Sequence, residues 1–359
     1  MSRKHKMYFF VHHWCGLLVG LFLLLMSITG ATLVFSDELN HREIKPFLAV
    51  DNPSGEVHID ASFKDIQQQY PGWELRIYEW PKANEALVYE LRKKEDRMRL
   101  FVHPVTGAIT HVVKDANNSL QRRLLLMHYT LFSGTTGKII ICVVSVVFFL
   151  SLLSGLFLYR RSILKVLSFK TKIHSQTPRA FFSSLHRVIG VWSLLWNLLI
   201  VVTGFSLSYN IVMNAIKPVA KKTASAKKTA SVTSLDTIVN NVHATYPELD
   251  VHMIRVPANA GTVVVRGSMK NDPSFSGEYA NTLQYNGQSF MLEKKQWFKS
   301  AAFGDKWTSI IGPLHFGNYG GILLKVFYAL MGLIPGLLAV SGFVIWRYRK
   351  RKVHSVSLA

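Results

Sequence analysis

The sequence predicts a membrane protein of four transmembrane α-helices in two repeats, each repeat carrying an extracytoplasmic α+β module. Three observations lead there. Four stretches, Trp14–Phe35, Ile139–Tyr159, Val188–Val212 and Val326–Trp346, are apolar and contain no Lys, Arg, Asp or Glu. At about 1.5 Å per residue, each is long enough to cross a hydrocarbon core of about 30 Å. Charge is segregated along the 359-residue chain, whose formal net charge is +21. Finally, a pattern of histidines and glycines recurs. His12 and His186 are each followed at the fourth position by glycine (Gly16, Gly190), and their apolar runs close on Thr29-Gly30 and Thr203-Gly204. His128 and His315 are followed at matching offsets by Gly134 and Gly321, Lys138 and Lys325, then Ser154-Gly155 and Ser341-Gly342.

Taken in order, the chain divides as follows. Residues 1–36 form a basic arm and the first span; 37–123 form a first outer module. Its helix is expected at Ala61–Tyr70, stopped by Pro71-Gly72, with strands at Trp73–Trp80, Ala86–Arg92, Met98–Val102 and Ala108–Lys114. Residues 124–162 hold His128 and the second span, 163–187 a basic loop, and 188–213 the third span. Within 214–309, Lys217–Ser234 has the Lys/Ala/Ser/Thr composition of a flexible linker. A second module follows it, with a helix at Leu235–Tyr246 and strands at Val251–Val256, Thr262–Gly267, Thr282–Tyr285 and Phe290–Glu293. Residues 310–348 hold His315 and the fourth span, and 349–359 a basic tail.

Segments 1–13, 160–187 and 347–359 contain basic residues and no carboxylate, whereas all 21 Asp and Glu lie within 37–115 and 236–305. By the positive-inside rule this puts both termini and the middle loop in the cytoplasm and the two modules outside, in the periplasm or cell exterior. The basic balance therefore reports topology and contact with membrane lipid, and no nucleic-acid motif accompanies it. The two cysteines, Cys15 and Cys142, form no C-x-x-C-H and are too few for an iron–sulfur cluster, which excludes covalent c-type haem and cysteine-ligated clusters. A permease is disfavoured because the spans hold no carboxylate and show no clear pair of proline- or glycine-broken helices.

A lone histidine at a membrane boundary is ordinarily an amphipathic ring at headgroup level. Four of them in two matched pairs, one pair per membrane face, point instead to ligation. Neutral imidazole is a strong ligand for haem iron, and a haem held between two helices takes one histidine from each. The expected pairs are His12 with His186 on the cytoplasmic side and His128 with His315 on the outer side, with His13 as a competitor for His12. The glycines Gly16, Gly190, Gly134 and Gly321 are expected to admit the flat macrocycle, while Gly155 and Gly342 read as packing positions. Arg187, Arg160-Arg161 and Arg347 are candidates for the propionates or for headgroup anchoring. Trp73, Trp80, Trp297, Trp307 and Tyr319 are candidate docking aromatics, with core packing the more ordinary role.

At these residues the chain resembles the PepSY-associated transmembrane helix family, often described as iron-regulated inner-membrane proteins. The matching pieces are HHWCGLLVGLFLLLMSITGATLVFSDEL, LHRVIGVWSLLWNLLIVVTGF, LMHYTLFSGTTGK with SGLFLYRR, and LHFGNYGGILLK with SGFVIWRYR. The outer modules look like PepSY domains, notably at RLFVHPVTGAITHV. The resemblance implies two b-type haems ligated by His12, His186, His128 and His315, and an oxidoreductase that reduces a ferric siderophore and releases Fe(II). His13 stands where many relatives carry arginine. No flavin or nicotinamide fingerprint is present, so the electron donor is expected to be a quinol or another protein. The alternative is a haem-free scaffold whose PepSY modules bind peptides or restrain a protease through open sheet edges.

Overall fold

The structure is a computed structural model that describes residues 2–51, 55–78, 80–216, 232–258 and 261–356. Most of the expected linker at Lys217–Ser234 lies outside the described residues. In chain order, helix α1 (Arg3–Leu33) is followed by α2 (Ser36–Ile44), α3 (Asp60–Gln69) and strands β1 (Glu74–Ile77), β2 (Leu87–Lys93), β3 (Asp96–Val102) and β4 (Ile109–Val113). Helices α4 (Leu120–Thr130), α5 (Gly134–Tyr159), α6 (Ile163–Leu167), α7 (Pro178–Trp192) and α8 (Leu194–Ile216) come next. The remainder is α9 (Leu235–Thr245), β5 (Leu249–Val256), β6 (Thr262–Met269), β7 (Asn281–Asn286), β8 (Leu292–Gln296), α10 (Phe303–Phe316), α11 (Ile322–Gly332) and α12 (Ile334–Val356). Two compact units result: one from Met1–Phe35, Leu124–Lys217 and Leu314–Ala359, the other from Ser36–Arg123 and Pro218–Pro313.

The first unit is a helical bundle. Four of its segments, Arg3–Leu33, Gly134–Tyr159, Leu194–Ile216 and Ile322–Arg349, are long and apolar enough to cross a membrane. Helix α1 packs on α5 and α12, α5 on α8, and α12 on α7, which closes the bundle. Leu18, Leu21, Leu195 and Leu323 point outward and are more than two-thirds exposed, as expected where lipid rather than water is the solvent. Small residues set the close approaches between helices. A Cβ on Gly20 would lie 3.8 Å from that of Ala339, and one on Gly336 would lie 3.1 Å from that of Ser27.

Two of the expected spans, Val188–Val212 and Val326–Trp346, are interrupted, although the sequence shows no clear pair of proline- or glycine-broken helices. The fourth breaks at Leu333, ahead of Pro335, and Ser27 Oγ accepts the N–H of Gly336 at 2.8 Å. That hydroxyl replaces the carbonyl the N–H has no access to at a helix start. The third breaks at Ser193, with neither proline nor glycine there. Ser193 Oγ donates back to the Ile189 carbonyl at 2.7 Å and accepts from Asn197 Nδ2 at 2.9 Å. Such back-bonding bends helices, and it leaves no Pro or Gly signature.

The second unit is an antiparallel sheet of eight strands in the order β4-β3-β2-β1-β5-β6-β7-β8. The sequence suggests two separate modules; their first strands instead pair with each other, Leu75 opposite Val256 and Ile77 opposite Ile254. Alternate residues of each strand face one side. Leu75, Ile77, Tyr89, Leu91, Leu100, Ile254, Val263, Val265 and Leu283 form one core with Phe63 and Ile66 of α3 and Ile238 and Val242 of α9. The two helices also cap each other. Asp236 accepts the N–H groups of Ile59 and Asp60 at 2.9 and 3.1 Å, and Asp60 accepts that of Leu235 at 2.7 Å together with the Ser234 hydroxyl. Each carboxylate thereby meets the free N–H groups and the positive dipole end of the other helix.

Candidate functional site

The four repeated histidines each rest on a neighbouring helix of the bundle. His12 of α1 lies against α5, where its Nδ1 donates to the Ser151 carbonyl at 2.9 Å. His186 of α7 lies against α12, with Nδ1 2.8 Å from Ser341 Oγ. His128 of α4 lies against α1, with Nδ1 2.9 Å from Thr29 Oγ1. His315 of α10 lies against α8, with Nδ1 3.0 Å from Thr203 Oγ1.

Three of the rings sit where a glycine removes a side chain that would crowd them, and the fourth, His186, lies beside Gly342 at ordinary contact distance. A Cβ on Gly155, Gly30 or Gly204 would lie 3.0 Å from Cε1 of His12, His128 or His315 respectively, and one on Gly342 would lie 3.7 Å from Cε1 of His186. These are not the glycines the sequence singles out. A Cβ on Gly16 would meet Ser151 Oγ at 3.7 Å and one on Gly190 would meet Leu338 at 3.8 Å, while Gly134 and Gly321 face open space. Gly134 instead takes a left-handed φ of 53° at the start of α5.

The hydrogen-bond network assigns one tautomer to all four rings. A carbonyl can only accept, so His12 carries its proton on Nδ1. Thr29 Oγ1 gives its hydrogen to the Leu25 carbonyl at 2.7 Å, Thr203 Oγ1 to that of Leu199 at 2.8 Å, and Ser341 Oγ to that of Leu338 at 3.0 Å. Each hydroxyl is thus an acceptor towards its imidazole, and each imidazole again carries its proton on Nδ1. Nε2 is left as a bare lone pair on every ring, the form that binds metal, with the oxygen at Nδ1 fixing the ring's direction.

The rings also lie close together in pairs, the first edge-on and the second tilted. The centroids of His12 and His186 are 6.0 Å apart and those of His128 and His315 6.4 Å apart. Two imidazoles on opposite sides of one metal ion, with bonds of roughly 2 Å, have centroids roughly 6 Å apart once the ring radius is added. Along α1, His12 and Gly30 are separated by about 27 Å of helix, so the two pairs mark opposite ends of the span.

His13 does not share this arrangement: it stacks on Phe9 at 5.7 Å and meets Trp14 edge-on at 5.5 Å. Beside His186, the Nε of Arg187 is buried with no hydrogen-bond partner among the described residues, a donor that an anionic carboxylate substituent would satisfy. Among the described residues, no group of three or more His, Cys, Asp or Glu is placed to hold a metal ion. A haem, whose macrocycle would supply the ligands that two imidazoles do not, would therefore suit this donor set better than a zinc-type centre. Glycines against the imidazoles and the orphaned Arg187 donor agree with that fit.

Of the aromatic candidates, Trp73 and Trp297 pack on the sheet's core. Lys93 lies over Trp73 and Lys295 over Trp297. Tyr319 bonds the hydroxyl of Tyr328 at 2.9 Å. Sequence reasoning missed the ring-orienting oxygens of Thr29, Thr203, Ser341 and Ser151. The first three were visible as the residue preceding each repeated glycine; the Ser151 carbonyl carries no side-chain signal.

The chain matches the model of the PepSY-associated TM region family over residues 9–349, nearly its whole length, and belongs to that family. It is a membrane protein of that class. No curated protein matches it.

Proposed function

Starting from that membership, we propose that the protein is a di-haem b oxidoreductase of the bacterial inner membrane, passing electrons across the bilayer to reduce a periplasmic ferric siderophore and release Fe(II). The arrangement of the four imidazoles carries this reading: two close pairs, each ring with a bare Nε2 and a fixed Nδ1, at the two ends of an apolar bundle. His12 and His186 would hold one haem, and His128 and His315 the other. When bound, such groups supply one-electron chemistry at each end of the span.

The chain's own residues do the rest. The oxygens of Ser151, Ser341, Thr29 and Thr203 aim the rings and raise the basicity of Nε2. Gly155, Gly30 and Gly204 let the imidazoles approach the helix backbone closely, and Arg187, half-buried, offers its buried Nε donor to an anionic substituent. The apolar faces of the helices exclude water between the two ends. The ferric chelate is the substrate. Siderophores hold Fe(III) far more tightly than Fe(II), so one electron delivered outside weakens the complex without an acid or base from the protein. The electron enters from a quinol or a cytoplasmic protein. The finer topology belongs to the same proposal: two repeats, both termini cytoplasmic, and both PepSY modules periplasmic, from the distribution of Lys and Arg.

The scaffold alternative draws on β4 and β8, the outermost strands of the sheet among the described residues. Lys294 and Lys295 on β8 are exposed, and charged edges of this kind resist strand addition. A reduced-minus-oxidised visible spectrum of the detergent-purified protein, with pyridine haemochrome quantification, separates the two. The reductase gives b-type bands and about two haems per chain. A protein that stays colourless after expression with haem supply sinks it.

A further inference from the structure

The sheet face turned away from α3 and α9 concentrates guanidinium groups. One row across the strands reads Arg99, Glu90, Arg76, Arg255, Val264 and Gln284, from β3 to β7. The adjoining row on one side holds Arg97, Arg92 and Glu74; on the other side Arg266 projects from β6. By the two-residue period, all lie opposite the core residues Leu75, Ile77, Leu91 and Val265.

Six arginines share two carboxylates. Glu74 takes Arg76 at 2.5 Å and Arg255 at 2.6 Å, and Glu90 takes Arg92 at 2.5 Å. Arg97, Arg99 and Arg266 make no ion pair among the described residues. Arg99 donates to Asn40 Oδ1 at 2.7 Å and Arg97 to main-chain carbonyls. The Nε atoms of Arg255 and Arg266 are buried with no hydrogen-bond partner among the described residues. All six side chains are only partly exposed, so water screens them incompletely. The electrostatics of the face agree. Burial, then the neighbouring Arg255 and Arg76, push the Arg266 guanidinium below its ordinary range. Burial would raise Glu74, but its hydrogen bonds and charge pairing with Arg255 and Arg76 outweigh that and hold it below the usual carboxylate range.

An ordinary sheet face has charges of both signs interspersed, and like charges on adjacent strands destabilise it. An excess of four guanidiniums there, two with buried idle donors, is a cost that a multiply charged anion would remove. The guanidinium fork matches carboxylate bidentately. We propose that this arginine face binds a soluble iron(III) chelate carrying several carboxylate groups, which names the substrate class. The assignment of that chelate as substrate rests on the reductase reading above.

The test titrates full-length protein in detergent with gallium(III) citrate, which binds as a ferric polycarboxylate would but accepts no electron, using calorimetry. Saturable binding is expected, weakened by added salt, about tenfold weaker in Arg266→Gln and weaker again in Arg266→Gln/Arg99→Gln, which correspond to losing charge-assisted hydrogen bonds. Arg266→Gln breaks no ion pair, and an unchanged circular-dichroism melt checks its fold. Lys64→Gln, on the helix covering the opposite face, leaves the affinity unchanged. No saturable binding, or equal affinity in native and doubly substituted protein, overturns the proposal. So does arginine-dependent capture of phosphatidylglycerol vesicles by protein that ignores gallium citrate, which assigns the face to lipid headgroups. The two readings fail separately. Arginine-dependent gallium citrate binding by a protein that takes up no haem removes the reductase and leaves the binding face. Haem-loaded protein that reduces ferric citrate equally well with Arg266→Gln/Arg99→Gln removes the face alone.

Discussion

The two histidine pairs are alike in spacing and tautomer but not in what holds them. At His128–His315, both imidazoles hang from threonine hydroxyls, Thr29 and Thr203. At His12–His186, one hangs from the Ser341 hydroxyl and the other from a main-chain carbonyl, that of Ser151. The residue matched to Ser341 by spacing, Ser154, makes no hydrogen bond to His12 among the described residues; it donates to the carbonyls of Leu150 and Ser151. Equivalent sequence positions thus reach the same imidazole geometry by different routes. One route can be deleted by a side-chain substitution, and the other cannot. The packing differs as well: three rings press on their glycines with 3.0 Å to an added Cβ, and His186 alone stands off at 3.7 Å.

The largest effect expected is from removing a ring. His128→Ala or His12→Ala should lower haem from about two per chain to about one, since each pair binds independently. His13→Ala should leave the content unchanged. Loss of haem with His13→Ala and retention with His12→Ala, by pyridine haemochrome, would break the assignment of the inner pair.

Next come the glycines. Gly30→Ala and Gly204→Ala force the imidazole to move by a few tenths of an ångström, a strain of roughly 1–3 kcal/mol typical of overpacked cores, and should weaken haem retention at that pair. Gly342→Ala meets its ring at ordinary contact distance and should be close to neutral. Haem loss on titration with apomyoglobin, used as a haem sink, measures the difference; equal loss in all three variants would contradict it.

The orienting oxygens sharpen the contrast further. Thr203→Val should reduce haem affinity about 10- to 100-fold, the usual consequence of losing a second-shell partner. Ser341→Ala should do the same at the other pair. Ser154→Ala should change little, because the Ser151 carbonyl remains. A redox titration that moves as far in Ser154→Ala as in Ser341→Ala would remove the distinction.

The smallest effect concerns the turns that follow His128 and His315. The first places Leu131 and Phe132 at φ of 50° and 54°, whereas the second places Gly317 at 72°. Left-handed backbone costs a side-chain-bearing residue roughly 1–2 kcal/mol and glycine little. Phe132→Gly should therefore be neutral or raise the thermal midpoint slightly; a lowered midpoint would show that the Phe132 ring contributes packing greater than the strain it imposes.

Much of this molecule was legible in its residues. Uncharged runs of spanning length give the four membrane helices, because a helix in lipid must be apolar along its length and satisfy its own backbone. Alternation gives most strands, and the repeated offsets single out His12, His186, His128 and His315 without any structure. The sequence also marked Gly30, Gly155, Gly204 and Gly342 as recurring, but not what would lie against them. Spacing along one chain records which residue is unusual; it does not record which residue arrives from another helix. The break at Ser193 was hidden for a related reason, since serine bends a helix through a hydrogen bond rather than through proline or glycine chemistry. Only tertiary structure decided that His12 rests on Gly155 and His128 on Gly30, that each Nδ1 is engaged and each Nε2 bare, and that β1 pairs with β5 to make one sheet of two modules. Those are long-range contacts, selected by shape and by the need to pair every buried polar group, and a local pattern carries neither.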